Sequence, residues 1–410
     1  MTVETYSRVI APGNDGGPPK LDYDDVTDPD VLHRMLAQAR GRAPIAAGVH
    51  GPEVLTYDLV RTVLRDPRFR VPQGMFLASQ GITSGPLWDR VAGNLISLDG
   101  EKHHRLRRLI AGAFTPRATE RLRDTVVAVM TDLIDQQLPH GRCDLVDDIA
   151  RRYPIPVICA LLGAPPEDWS LFSEWTDDIF QVFSWRVGDH QQDILQAWQE
   201  LDDYIDDMVA CRRRTLTDDL LSDLIRAGDD GDRLNLAELR MLVAGLLIAG
   251  TDTTRNQFAA AVQVLCRNPD QWELLRRHPE LAYNAAHEVT RHSPVAVAML
   301  RTAVEDVDLA GTEIPAGQLV MANLASANRD EAVFTDPDRL DIRRSNASAM
   351  VTFGGGMHFC LGSHLARLEI AEGLAVIAER MPHLRLDGDG PWKPLTGLSG
   401  PQNLPVTFWE

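Results

Sequence analysis

The sequence predicts a mainly α-helical single domain with a small β region, and three observations lead to this fold class. Apolar residues recur with a period of about 3.6 over most of residues 101–292, which is typical of amphipathic helices that share one core. Short runs typical of strands follow this stretch, before one more helical segment near the end of the chain. No internal repeat, low-complexity tract or linker divides the 410 residues, so one core is expected.

The N-terminal part of the chain is expected to contribute little to this core. Residues 1–25 are rich in Gly and Pro and are predicted to be a flexible segment, which leaves residues 26–410 as the domain. Residues 44–66 should mix a helix with strands, including a hairpin around Gly51-Pro52. Residues 70–99 combine Gly and Pro with large apolar side chains, and a loop of this length often covers a binding site.

Helices and strands are then expected in a fixed order. The predicted helical segments are 101–113, 117–138, 145–162, 166–184, 190–214, 234–266 and 280–292. Asn235 and Glu238 have the spacing of a capping box before the longest of them, which should run about 45 Å. Strands are expected at 297–304, 306–309 and 318–322, then a meander at 328–344, a Gly-rich loop at 353–362, a helix at 361–380 and closing strands.

The charge and the absence of targeting signals exclude several classes of protein. There are 59 acidic and 41 basic residues, and a formal net charge of −18 disfavours nucleic acid and anionic membrane surfaces as partners. The first residues lack the basic and apolar regions of a signal peptide, and the longest apolar stretch, 241–250, is about half a membrane span. We therefore expect a cytoplasmic protein without a membrane anchor, and a monomer because a chain this long buries a sufficient core.

The strongest local signal for chemistry surrounds one of the five cysteines. In the segment FGGGMHFCLG, residues 353–362, Cys360 sits where a Gly-rich loop meets the start of a helix. Glycines let the backbone approach a flat ligand closely, and free backbone N–H groups near the sulfur stabilise a thiolate. Such a thiolate suits a soft or borderline metal such as haem iron, whereas the alternative is an ordinary buried thiol. That alternative is the expectation for Cys143, Cys159, Cys211 and Cys266, which show no CxxC pair or metal-finger spacing.

The residues around Cys360 resemble the haem loop of the cytochrome P-450 superfamily, the haem-thiolate monooxygenases. The pattern Phe-x-x-Gly-x-His-x-Cys-x-Gly is matched at Phe353, Gly356, His358, Cys360 and Gly362. The resemblance covers roughly residues 45 to 408 and implies the single-domain, mainly α cytochrome P-450 fold with a small β region. It also implies that Cys360 is the axial iron ligand of haem b, that Phe353 packs beside it, and that His358 contacts a haem propionate.

A second matched segment, AGTDTT at residues 249–254, lies in the middle of the longest predicted helix. Small residues followed by an acidic side chain and hydroxyl side chains can weaken the backbone hydrogen bonds of a helix and bind a polar ligand. Such side chains are often simply solvated, which is the alternative. The apolar flank MLVAGLLIA favours a buried setting. The resemblance implies that Ala249 and Gly250 contact the distal face of the haem and that Asp252 and Thr253 handle dioxygen and its protons.

Four basic residues are candidates for binding the haem carboxylates. His103 and Arg107 are four residues apart on a helix, within roughly 40° of each other, so both can meet one anion. By themselves they would be read as an ordinary basic helix face. The resemblance adds Arg301 and His358, and it implies that all four neutralise the two propionates, a role suited to charged, multi-donor groups.

Glu288 and Arg291 form an i,i+3 pair, which alone is usually exposed and worth roughly a few tenths of a kcal/mol. The resemblance implies instead a buried pair that ties a core helix to the meander, with Arg339 completing the network. We assign these three residues to folding and haem retention.

The function implied is insertion of one oxygen atom from O2 into an apolar small molecule, by hydroxylation or epoxidation. No reductase domain is expected in the chain, so electrons should come from a separate ferredoxin and an NAD(P)H-dependent ferredoxin reductase. Lys102, Arg105 and Arg108 lie away from the His103–Arg107 stripe, and they are predicted to form a basic patch for the ferredoxin or an ordinary solvated face.

Three other functions stay open: a peroxide-driven peroxygenase, a non-oxidative haem isomerase or dehydratase, and a haem-based sensor. The presence of both Asp252 and Thr253 favours dioxygen activation, since a sensor needs only the thiolate. The resemblance places the substrate pocket among largely apolar segments: 75–92, 166–200, Leu246, Ala249, 295–299 and Leu398. In the first of these, Arg90 could pair with a substrate carboxylate or be an exposed loop arginine.

Overall fold

The structure is a computed structural model in which residues 17–75, 77–229 and 234–409 are described. Within these ranges the α-helices are α1 Pro29–Arg40, α2 Tyr57–Arg65, α3 Pro86–Ala92, α4 Gly100–Ala111, α5 Pro116–Glu120, α6 Arg123–Gln137, α7 Pro154–Leu162, α8 Trp169–Ile179, α9 Gln191–Arg212, α10 Leu220–Asp229, α11 Leu236–Arg267, α12 Pro269–Arg277, α13 Ala282–His292, α14 Leu324–Ala327 and α15 Ser363–Arg380.

The strands of the same ranges are β1 Lys20–Leu21, β2 Ile45–Gly48, β3 Gly51–Val54, β4 Phe69–Arg70, β5 Arg142–Asp144, β6 Ala298–Ala303, β7 Val307–Leu309, β8 Thr312–Ile314, β9 Leu319–Asn323, β10 Arg385–Leu386 and β11 Pro405–Thr407. The main sheet has the order β1-β2-β3-β9-β6-β4, and two smaller sheets have the orders β10-β11-β5 and β7-β8. The predicted hairpin is confirmed, because β2 and β3 pair antiparallel with Gly48 opposite Gly51.

Helix α11 organises the helical part of the molecule. Both hydrogen bonds of its capping box are present: Asn235 Oδ1 accepts from the Glu238 N–H at 2.9 Å, and Glu238 Oε2 accepts from the Asn235 N–H at 3.4 Å. Most of its side chains are buried against α7, α8, α9, α13 and α15, so it is apolar nearly all round. The predicted helix over 234–266 is confirmed.

Proline explains the main difference between the predicted and observed helices. The single helix expected over 145–162 is wrong, because residues Leu145–Ala150 form a π-helical turn and α7 starts separately at Pro154. Helix α12 was not predicted, and it starts at Pro269, immediately after α11 ends. None of the helices in the described part of the chain is long and apolar enough to cross a membrane.

The flexible N-terminal segment predicted for residues 1–25 extends too far. Lys20–Leu21 pairs parallel with β2, and the buried Tyr23 hydroxyl donates to Glu53 Oε2 at 2.9 Å. These contacts make the residues around them part of the folded domain, because strand pairing and burial fix the backbone. The first 16 residues lie outside the described ranges.

The predicted buried acid–base network exists, but Arg344 and not Arg339 completes it. Arg291 is fully buried and donates from Nε and Nη2 to the two carboxylate oxygens of Glu288, at 2.7 and 2.8 Å. Arg344 Nε donates to Glu288 Oε1 at 3.0 Å. Arg339 has an exposed side chain and its N–H closes a turn onto Asp336. It contributes its carbonyl, which accepts from Arg344 Nη2 at 3.0 Å and from Arg291 Nη2 at 3.5 Å.

Replacing Arg344 with Ala should therefore destabilise the protein far more than replacing Arg339 with Ala. The first change removes one charged donor from the buried Glu288 carboxylate, which keeps Arg291 and the Asp341 N–H, at a cost of about 1–3 kcal/mol in the free energy of unfolding. The second removes an exposed side chain and should change it by about 0.5 kcal/mol or less. Denaturant unfolding measures both, and equal losses in the two variants would restore the role predicted for Arg339.

Candidate active site

The loop that carries Cys360 is shaped by glycine. Gly354 and Gly356 adopt φ of 74° and 67°, and a Cβ at Gly356 would lie 2.6 Å from the carbonyl oxygen of Leu64. The Cys360 N–H donates to the Phe353 carbonyl at 2.9 Å, which closes the loop immediately before α15 begins at Ser363. The predicted setting for Cys360, a Gly-rich loop against a helix start, is confirmed.

Cys360 lies in a more positive environment than the other partly or fully buried cysteines. Burial raises the pKa of its thiol, while the Gly362 N–H and the guanidinium groups of Arg107 and Arg367 act in the opposite direction. Burial raises the pKa of Cys143, Cys159 and Cys266 to about 12, with no cation nearby to offset it. The thiolate is therefore favoured at Cys360 relative to these three.

The four predicted carboxylate-binding residues come together beside this loop. The rings of His103 and His358 lie 4.5 Å apart, and His358 Nε2 is 3.4 Å from Asp99 Oδ1. Arg107 Nη2 donates to the Phe359 carbonyl at 2.5 Å. Burial and the neighbouring His358 and Arg107 lower the pKa of His103 to about 4, and burial lowers the pKa of Arg301 to about 10. The cluster is thus rich in donors and short of negative charge.

Two of these donors lack the partners that buried groups normally have. His103 is 1% exposed and its Nδ1 has no hydrogen-bond partner among the described residues. Arg301 is 4% exposed, and its guanidinium donates to the carbonyl of its own neighbour, Leu300, at 2.7 Å. A buried guanidinium is normally paired with an anion. The cluster therefore fits the carboxylates of a haem next to the Cys360 thiolate.

One face of α11 borders a cavity. Ala249 is exposed, and Gly245 and Thr253 are partly exposed, although the helix is otherwise largely buried. These positions are spaced by four residues and so lie on one face. Helix α11 is continuous through this segment, where the Thr251 and Thr253 hydroxyls donate to the Ile248 and Ala249 carbonyls at 3.0 Å, so the expected weakening produces no break in the helix.

Gly250 sets how closely α11 approaches its neighbour. A Cβ at this position would lie 3.1 Å from Ile158 Cδ1 of α7, tighter than ordinary van der Waals contact. The glycine is therefore explained by helix packing, in addition to the haem contact that the sequence predicts for it.

Asp252 points away from this cavity-facing strip into a chain of ion pairs. Its carboxylate is buried and pairs with Arg255, which also donates to Asp177 Oδ1 at 2.5 Å. Asp177 in turn pairs with Arg151, whose side chain is 37% exposed. Burial lowers the pKa of Arg255, but the two aspartates outweigh this effect and the net shift is upward. The chain leads from the buried acid to solvent-accessible groups.

Sequence reasoning missed Arg255 and Asp177. The spacing of Asp252 and Arg255, three residues apart on one helix, was a readable signal for an ion pair. Asp177 belongs to α8 and is 78 residues away from Arg255 along the chain. Only the packing of α8 on α11 brings the two residues into contact.

The loop at 70–99 is tied to the segment between α8 and α9. Gln80 donates from Nε2 to the Ser184 carbonyl at 3.1 Å and accepts from the Val187 N–H at 3.0 Å. The Trp185 ring stacks on His50 with centroids 3.5 Å apart. Asn94, at the end of the loop, approaches Gly245 on the cavity-facing strip of α11. The loop therefore borders the cavity, as predicted, while its residue Phe76 lies outside the described ranges.

Arg90 has neither of the two roles expected for it. Its guanidinium forms two parallel hydrogen bonds of 2.5 Å to the carboxylate of Asp202 in α9 and lies over the Trp198 ring. This pair joins α3 to α9, and because the guanidinium is already neutralised, Arg90 is not available to a substrate carboxylate.

The predicted basic patch is smaller than expected. Lys102 and Arg108 are exposed on α4, but Arg105 is half-buried and forms an ion pair with Glu238 of α11. The side chains of Met357 and Phe359 are also exposed, and Arg107 of α4 donates to the Phe359 carbonyl. The predicted patch therefore keeps two exposed cations, Lys102 and Arg108.

Comparisons with known proteins agree on the family. A family model described as Cytochrome P450 matches residues 169–403. The chain is 38% identical over 361 residues to the mycinamicin IV hydroxylase/epoxidase of Micromonospora griseorubida, covering 87% of this chain and 89% of that protein. It is also 38% identical over 414 residues to the cytochrome P450 monooxygenase PikC of Streptomyces venezuelae, covering 97% and 96%.

A solved structure, epothilone B-bound cytochrome P450epoK, superposes on this fold with a TM-score of 0.87 at 30% identity, covering 93% of this chain and 98% of that one. The match extends over nearly the whole domain, including the helix and the loop that form the site. The chain belongs to the cytochrome P450 family, and it is a P450 monooxygenase.

Proposed function

We propose that this enzyme uses haem b to insert one oxygen atom from O2 into an apolar small molecule, by hydroxylation or epoxidation. The observation that carries the proposal is Cys360, held at a helix start beside four basic groups of which, among the described residues, only His358 pairs with a carboxylate, that of Asp99 at 3.4 Å. In this arrangement Cys360 would ligate the iron, His103, Arg107, Arg301 and His358 would bind the two carboxylates, and Phe353 would lie beside the thiolate. When bound, the haem supplies the redox chemistry of dioxygen activation, which consumes two electrons and two protons.

The residues of α11 would hold the haem face and supply the protons. Ala249 and Gly250 would lie against the haem because they are small and Ala249 faces the cavity. The Thr253 hydroxyl, on the same face, can accept a hydrogen bond from a proton donor while it donates to the Ala249 carbonyl. It can therefore position a proton at its Oγ1 in the cavity.

Asp252 would deliver protons to this hydroxyl from the far side of the helix. Arg255 already contacts both Asp252 and Asp177, so a small movement of its guanidinium releases one carboxylate while it keeps the other. A released Asp252 can take up a proton arriving past Asp177 and Arg151 and pass it towards Thr253.

A small-molecule substrate is supported by two of the similar proteins. One relative is named as a mycinamicin IV hydroxylase/epoxidase, and the superposed structure is named for bound epothilone B. The loop at 70–99 that borders the cavity is rich in apolar side chains, including the buried Leu77 and Leu87.

Turnover assays with different oxidants test the proposal directly. Product should form with O2, NAD(P)H, a ferredoxin and its reductase, and it should incorporate one labelled oxygen atom from 18O2. Equal turnover with hydrogen peroxide alone would establish a peroxygenase instead. Turnover with neither oxidant would establish an isomerase or dehydratase, and haem binding without any turnover would favour a sensor.

We further propose that the electron donor is a small acidic ferredoxin that docks on Lys102 and Arg108 of α4. These two cations are exposed on the helix that also carries His103 and Arg107 of the candidate site. Partner surfaces of opposite charge raise association rates.

Replacing Lys102 and Arg108 with Glu should slow reduction by the ferredoxin without changing substrate affinity. Stopped-flow absorbance measures the rate at which ferredoxin reduces the enzyme. All variants are compared at one ionic strength, about 0.1 M, because salt screens the attraction between the two proteins. Replacing both Arg213 and Arg214 with Glu, at exposed sites beyond the end of α9, is a control with the same change in charge. Equal reduction rates in the Lys102 and Arg108 variant, the control and the unmodified enzyme would rule out this docking surface.

A further inference from the structure

A second cavity lies apart from the cysteine site. It encloses about 470 Å³ between α1, the C-terminal end of α11, the end of α13 and the C-terminal segment that contains Trp392. Sites for small molecules commonly have volumes of roughly 300–1,000 Å³. The cavity is therefore large enough for a small organic ligand.

The wall of this cavity contains a buried side chain without a hydrogen-bond partner. His33 of α1 lines the cavity and is 8% exposed, and no hydrogen bond links its ring to another described residue. By contrast, the neighbouring His292 contacts Ser293 Oγ at 2.9 Å and the Asp338 carbonyl at 3.0 Å. The His33 ring nitrogens are not among the fully enclosed polar atoms of the described residues, so they are accessible from the cavity and can hydrogen-bond to a molecule bound there.

Positive groups dominate the surroundings of His33. Burial lowers the pKa of its imidazole well below the usual range, and Arg329, His292, Arg291 and Arg40 lower it further. Arg329 is neutralised by Asp338, at 2.9 Å, and Asp30 lies one helical turn from Arg34 on α1. The guanidinium of Arg267, at the exposed end of α11, donates to the backbone carbonyl of Asp389 and to no carboxylate within the described ranges. One positive charge at the rim is thus in excess.

The cavity lining also includes apolar groups. Ala37, Ala260 and Val264 contribute aliphatic groups, and the indole of Trp392 is held in place by its N–H bond to Gln263 Oε1 at 2.6 Å. An apolar wall with a few convergent polar groups is the usual composition of a ligand site.

We propose that this cavity is a second binding site for a small organic carboxylate that carries an apolar group. The carboxylate is placed at Arg267 and Arg34 on the rim, and the apolar group lies on Ala260, Val264 and Trp392. His33 supplies a hydrogen bond to the ligand. The inference does not depend on the oxidation proposed above, because it concerns different residues.

Equilibrium dialysis of the haem-loaded enzyme with radiolabelled benzoate tests the site, with the Soret spectrum recorded at each concentration. We expect saturable binding of one benzoate per chain without a change in the Soret band. Benzyl alcohol, which has the same ring and no charge, should bind about tenfold more weakly or worse. Arg267→Glu should raise the Kd for benzoate by about tenfold, equivalent to about 1.4 kcal/mol.

Two variants separate binding at this cavity from other effects. Arg214→Glu matches the charge change at a distant exposed position and should leave the Kd unchanged. His33→Phe should abolish binding because it fills the cavity and removes the donor, and it covers the case in which Arg267→Glu does not fold. The proposal is overturned if benzoate does not bind saturably, if binding always shifts the Soret band, or if His33→Phe binds benzoate as the unmodified enzyme does.

Discussion

Replacing Cys360 with Ser should abolish the strongly red-shifted Soret band of the reduced carbonyl complex, together with all monooxygenase turnover. The band depends on electron donation from a thiolate to iron, and an alcohol in the same position does not provide it. The loop itself should survive, because its closing hydrogen bond joins the backbone N–H of residue 360 to the Phe353 carbonyl. The measurement is the difference spectrum of the reduced enzyme with and without carbon monoxide.

The other cysteines provide matched controls for this change. Cys143 and Cys266 are partly buried thiols whose pKa is raised to about 12, and neither lies in a Gly-rich loop. Cys143→Ser and Cys266→Ser should therefore keep the red-shifted band. A band that persists in Cys360→Ser would show that the ligand is a different residue, and the site would have to be reassigned.

Replacing Thr253 with Ala should preserve haem content and substrate binding but divert electrons from NAD(P)H to hydrogen peroxide. Its hydroxyl lies on the partly exposed face of α11 and, in the proposed role, would position a proton there, so its loss would leave dioxygen reduction without a controlled proton donor. Asp252→Asn should instead slow turnover, by about 100-fold, because the amide keeps the shape but does not relay a proton. Product and peroxide formed per NAD(P)H consumed distinguish the two outcomes.

Thr251 provides the control for both changes. Like Thr253, it donates its hydroxyl to a backbone carbonyl three or four residues earlier, but it is 2% exposed and faces the packed side of α11. Thr251→Ala should leave the ratio of product to peroxide unchanged. If Thr253→Ala behaves in the same way as Thr251→Ala, the role in oxygen activation is lost and the peroxygenase or sensor gains support.

Much of the fold could be predicted because it depends on local patterns. The period of apolar residues and the capping box at Asn235 located α11 to within two residues, and Gly51-Pro52 located the hairpin. Prolines within apolar runs were harder to interpret, since Pro154 starts a helix after a π-helical turn that the periodicity does not reveal. Strand β1 was not predicted because it has only two residues, too few to show an alternation of apolar and polar side chains, and it follows a Gly- and Pro-rich segment.

The candidate site was predictable where the residues form a motif and unpredictable where they meet only in three dimensions. Cys360 and the four basic residues around it were found from their local spacing and the family resemblance. Asp177, which completes the ion-pair chain, and Asp202, which neutralises Arg90, lie on different helices from their partners. Arg344 and Arg339 are five residues apart in an irregular meander, and only the direction of one turn decides which guanidinium reaches Glu288.

The close contact of Gly250 with Ile158 has a consequence for how this enzyme can evolve. The backbone around Asp252 and Thr253 is fixed by packing between two helices, which a single side-chain replacement at the cavity does not shift. The wall formed by residues 77–98 and 180–190 is held by individual side chains such as Gln80, His50 and Trp185. Mutational drift in that wall can reshape the pocket for new substrates while Asp252 and Thr253 keep their positions, so substrate selectivity can change without moving these two residues.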